Sequence, residues 1–119
     1  MFRTRDVVVG AAITAAAALA AITAASHRPD PTQQLRRDRD AVQAAANRLT
    51  YETISDAWTQ AKRADPAPLD RLERTVPLRH VGTREEAGGA IVLSFAGHGS
   101  ACVDLVSTPT GNLVQTRRC

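Results

Sequence analysis

The chain has 119 residues, with 15 basic and 12 acidic side chains, a formal charge of +3 and a pI near 9.5. That length allows one domain. The small charge excess excludes a nucleic-acid binder, because attraction to phosphate needs a stripe of unneutralised positive charge, and here arginines alternate with acids, as in Arg36-Arg37-Asp38-Arg39-Asp40.

Val7 to Ser26 is a run of twenty residues without a charge, behind a short basic start. As a helix it rises about 30 Å, the thickness of a hydrocarbon core. Ten of the twenty are alanine, so it is long enough but weakly apolar. Two readings of residues 1–26 stand side by side: a single transmembrane helix, or a signal peptide cut before Ser26, where Thr23-Ala24-Ala25 offers the small side chains a peptidase inspects. No cysteine closes the run, which excludes a lipoprotein anchor. Arg28, Arg36, Arg37 and Arg39 follow it and would hold the rest of the chain in the cytoplasm by the positive-inside rule. The cleavage-like end and the cysteines at 102 and 119 favour export instead. Without Arg3, Arg5 and Asp6 of the leader, 13 basic and 11 acidic residues remain, net +2.

Residues 27–68 read as a helical stalk and a Pro-rich linker. Pro29 and Pro31 interrupt any helix leaving the membrane, Asp30 or Thr32 can cap a new one, and Asp65-Pro66-Ala67-Pro68 stops it after about Ala64. Its apolar positions change face: Leu35, Val42, Ala46 and Leu49 form one stripe, and Tyr51, Ile54, Trp58 and Ala61 lie nearly opposite. The helix therefore bends or breaks near Thr50, or its halves touch different things. The Trp58 half is expected on the domain and the Leu35 half as a stalk in solvent, since Leu35, Val42 and Leu49 supply too few apolar positions for a coiled coil. A short helical turn over 69–75, with Asp70 and Arg74 at supportive spacing, reads as a connector.

Residues 69–119 form the expected antiparallel β domain, where the period changes to two. A short edge strand over 78–83 precedes the polar turn at 84–89, and strands follow over 90–96, 101–108 and 113–119. Gly97-His98-Gly99 fits a three-residue loop that sets Ala96 beside Ser100. A second hairpin over Thr110-Gly111, or over 109–112, sets Asp104 beside Arg117 and Cys102 across from Cys119. A three-residue loop with Gly111 left-handed would shift the register by one and throw the cysteines to opposite faces. A Cys102–Cys119 disulfide would contribute about 3 kcal/mol by loop entropy, much for a core whose aromatics outside the leader are only Tyr51, Trp58 and Phe95.

No residue is assigned here to catalysis, a cofactor or a metal. His27, His80 and His98 lack a partner at ligand spacing. Gly97-His98-Gly99-Ser100, with Asp104 to orient the histidine, invites a nucleophile reading, but a strand follows Ser100 where a serine elbow needs a helix. Glu85-Glu86 and the Asp38/Asp40 pair sit among arginines and read as solvated faces.

The expected architecture is α+β: a leader helix, then a long helix packed on a three- or four-stranded meander closed by the C-terminal disulfide. In layout it resembles a pilin or pseudopilin, in which a membrane helix extends into a stalk and carries a small antiparallel sheet. That resemblance implies a subunit of an envelope assembly, although there is no glutamate in the apolar run and Pro29 and Pro31 interrupt the passage to the stalk. The first expectation is a small exported domain, secreted or tethered at the outer face of the membrane, that binds a protein partner in the cell envelope. A small hydrolase ranks last. The Ala- and Arg-rich, almost lysine-free composition suggests a bacterial, GC-rich source.

Overall fold

A computed structural model describes residues 30–119; the leader lies outside the described residues, and with it the expectation of a signal peptide or transmembrane helix. Among the described residues no helix is long and apolar enough to cross a membrane. Three helices, α1 (Pro31–Arg48), α2 (Tyr51–Lys62) and α3 (Ala67–Glu73), precede β1 (His80–Glu85), β2 (Ile91–Ala96), β3 (Ala101–Thr108) and β4 (Gly111–Arg118). The strands form one antiparallel sheet in the order β1-β2-β3-β4. The α+β class and the meander are as expected.

The switch of apolar face at Thr50 is a true break. Thr50 has extended backbone and its hydroxyl accepts the Thr53 N–H at 3.2 Å, which starts α2 on a new axis. Both halves then reach the core. Val42, Ala45 and Ala46 of α1 and Ile54 and Ala57 of α2 are buried with Ile91, Leu93, Phe95, Val103, Leu105 and Val114. The expected stalk is therefore a packed helix: α1 lies against β3 and β4, and residues 31–119 form one compact unit. Burying a side chain such as Phe95 or Ile54 contributes about 1.5–3 kcal/mol, and with so few aromatics the α1 stripe cannot stay in water.

Both hairpins differ from the expected register by two residues. Ala96 pairs with Cys102, and Gly97 continues the ladder, its N–H donating to the Ala101 carbonyl at 2.9 Å. The loop is thus His98-Gly99-Ser100, with Gly99 at φ +66°. The strand is crowded at Gly97: a Cβ there would stand 3.1 Å from Leu35 Cδ1 and 3.3 Å from the Ala101 carbonyl oxygen. In the second hairpin Thr108 pairs with Gly111, so Pro109 and Thr110 are the central residues and proline takes the turn position that requires no N–H. Asn112 then comes under α1, where its Nδ2 donates to the carbonyls of Ala46 (3.0 Å) and Leu49 (2.8 Å) at the helix end.

A shift of two keeps every side chain on its face. Cys102 lies opposite Arg117 instead of Cys119, yet Cys119 is on the same face two residues on, its N–H donating to the Ser100 carbonyl at 2.9 Å. The Cys102–Cys119 disulfide forms across a Cα separation of 5.0 Å.

Candidate functional site

Three buried or half-buried carboxylates organise the polar chemistry of residues 30–119. Asp38, on α1, is 6% exposed. One of its oxygens, Oδ2, takes both the backbone N–H of His98 at 3.0 Å and the imidazole Nδ1 in a short hydrogen bond. The carboxylate that holds His98 is therefore Asp38 and not Asp104, and the expectation of Asp38 as a solvated acid is corrected. The β2–β3 loop lies on α1 at that point and removes Asp38 from water. Asp40 remains exposed.

Asp104 is fully buried on the sheet face away from the helices. Arg117 Nε donates to its Oδ2 at 2.7 Å and Arg84 Nη2 stands at 3.8 Å, so the two edge strands reach over β2 and β3 from opposite sides. Ser94, its cross-strand partner, accepts from Arg84 Nη1 and Arg117 Nη2, both at 3.2 Å. Asp104 Oδ1 has no hydrogen-bond partner. The predicted Asp104–Arg117 pair thus exists, as a diagonal neighbour instead of a direct one.

The third carboxylate, Glu73, lies at the end of α3 and lines a groove. This cavity of about 430 Å³ has Asp70, Glu73 and Arg74 on the helix side, Val76, Pro77 and Leu78 along the connector, and His80 at the start of β1. Pro77 and the tight turn after Glu73 bring the chain back so that β1 begins against the helix it has just left. Glu73 Oε1 is 3.3 Å from His80 Nε2, and the Thr83 hydroxyl donates to the same oxygen at 3.3 Å. Because that hydroxyl has one proton, its oxygen is left to accept from His80 Nε2 at 2.8 Å. The ring meets Phe95 edge-on at 5.7 Å, so the core fixes its orientation.

Burial pushes the Glu73 carboxyl above its ordinary value; His80 and the Thr83 hydrogen bond oppose the rise and Asp70 adds to it. A half-apolar cavity with convergent polar groups and a perturbed acid is the form of a ligand site. Two other cavities are shallower in chemistry. One, of about 290 Å³, is lined by Leu35, Ser100, Ala101 and residues 116–118; another lies between the α1–α2 junction and the Pro109 turn. Among the described residues no three His, Cys, Asp or Glu side chains gather as a metal site.

Sequence reasoning found the disulfide and the Asp104–Arg117 pair, but neither the Asp38–His98 contact nor the groove. Glu73 and His80 belong to no motif, and the only signal near them was the Asp70/Arg74 spacing. No protein-family model matches the chain, and neither a curated protein nor a solved structure is significantly similar to it.

Proposed function

We propose that this chain is a small extracytoplasmic domain, secreted or held at the outer face of the membrane by an uncleaved leader, which acts by binding and not by catalysis. The Cys102–Cys119 disulfide carries the location, since such bridges persist in oxidising compartments. Binding is favoured because two of the three carboxylates join elements: Asp38 fastens α1 to a loop, and Asp104 fastens both edge strands. Only Glu73 combines such a tie with an open cavity, and the groove is the ligand site of this reading. Intact mass of the native chain, before and after alkylation without reduction, tests it. An unalkylated protein starting at Ser26 is the secreted form and one with its leader the tethered form; two alkylated sulfurs would remove the reading.

A second reading, a pilin- or pseudopilin-like subunit of an envelope assembly, is favoured by the helix packed on a meander closed at its C-terminus by a disulfide. It requires a large, leader-dependent polymer in sheared surface fractions, and its absence there ends that reading.

A further inference from the structure

Three features of the groove bear on what it accepts. Its carboxylates, Asp70 and Glu73, lie one turn apart on α3, and Glu73 is withdrawn from water, with only 12% of its side chain exposed. Its connector wall is apolar and without charge from Val76 to Leu78. The contacts to Glu73 fall on Oε1, which leaves Oε2 as the acceptor for an incoming donor.

We propose that this groove binds a primary amine carried on an alkyl stem, as in a lysine-like side chain, with the ammonium on Glu73 and Asp70 and the stem along Val76, Pro77 and Leu78. The inference rests on the reading of the groove as the ligand site. An anion is disfavoured there, because it would approach a poorly solvated carboxylate with a second one a turn away, two acids against the one lining arginine, Arg74. A guanidinium fits less well than an ammonium: its planar fork pairs best with both oxygens of a carboxylate, and Oε1 already accepts from Thr83 with His80 Nε2 at 3.3 Å. An ammonium is a compact charge that one free oxygen can receive. The raised proton affinity of Glu73 agrees, since a cation beside it would relieve the same cost of burial that a proton relieves.

The test is amide NMR on the oxidised full chain with four probes of similar stem: n-butylammonium, n-butylguanidinium, n-butanol and pentanoate. Butylammonium is expected to shift the Val76, Leu78 and His80 amides and to bind tightest. Glu73→Gln should weaken it about tenfold or more, and Asp70→Asn, on an exposed position, about two- to threefold; the spectrum of each variant reports whether it is folded. If Glu73→Gln does not fold, Asp70→Asn decides, and an unchanged affinity there overturns the proposal. Equal or tighter binding of the guanidinium, the alcohol or the carboxylate overturns the amine assignment while the groove stands. If no probe moves these amides, the groove itself is not the ligand site.

Discussion

In the Asp104–Arg117 ion pair the two partners differ sharply in exposure, the carboxylate fully buried and the guanidinium 37% exposed. Removing either partner is therefore not equivalent. Arg117→Gln strands a buried charge whose other cation, Arg84, stands at 3.8 Å, and should cost about 3 kcal/mol or more. Asp104→Asn leaves arginines that can turn to water, and should cost about 1 kcal/mol. Urea unfolding of both variants checks the order, and a reversed order would mean that the arginines, not the carboxylate, bear the burial. Glu73 makes a prediction in pH. Its carboxyl is raised in the fold, so below the ordinary value of 4.5 both folded and unfolded chains are protonated and burial costs nothing. As pH rises through the ordinary value toward the raised one, the unfolded chain ionises first and stability falls. Glu73→Gln has no such charge. Denaturation midpoints from neutral pH down to about that value should move in favour of the wild type relative to the variant as pH falls, and a constant difference would contradict the raised affinity.

The end of α2 carries a C-terminal cap with the wrong residue for its backbone. Asp65 N–H donates to the Gln60 carbonyl at 2.9 Å and Ala64 N–H to the Ala61 carbonyl at 3.2 Å, the paired bonds of a Schellman turn. Ala64 sits there at φ +73°, a conformation that suits glycine and strains an L side chain by about 1–2 kcal/mol. Ala64→Gly is expected to raise stability by roughly 1 kcal/mol, since part of the gain is lost to the greater freedom of glycine in the unfolded chain; thermal unfolding measures it, and a loss would show that the strain is absent. The same element shows what sequence patterns reveal. The break at Thr50 and the stop at Pro66 were legible because caps and proline act locally. Register was legible only modulo two: the alternation of Ile91, Leu93 and Phe95 against Val103 and Leu105 defines a face, and a slip of two residues preserves it. The observed register agrees with one local signal, Pro109 in the second position of the turn, and with non-local contacts that the alternation does not show, Leu35 beside Gly97 and Asn112 under the end of α1. The burial of Asp38 is non-local as well, because its arginine neighbours in sequence say nothing of the loop that covers it.

At the scale of the whole domain, β4, the strand farthest from β1 along the sheet, is fastened to the rest by several means. β4 is an edge strand with one buried apolar residue, Val114, although α1 lies against it and Asn112 anchors its start. Its far end carries Arg117, which neutralises Asp104, and Cys119, which is bonded to Cys102. The covalent link and the ion pair therefore hold the same few residues in place, and loss of the first should weaken the second. Loop entropy alone assigns the disulfide about 3 kcal/mol. In a domain of this size, where total stability is about 5–10 kcal/mol, reduction should remove a third or more of it. Because Arg117 is freed as well, the loss on reduction should shrink in the Arg117→Gln background, by about 1 kcal/mol if the two are coupled as neighbours usually are. Equilibrium unfolding of the oxidised and reduced forms in both backgrounds, followed by Trp58 fluorescence, gives the four values. Strict additivity would mean that the C-terminal strand stays in register without its covalent tie, held by α1 and the ladder to β3 alone.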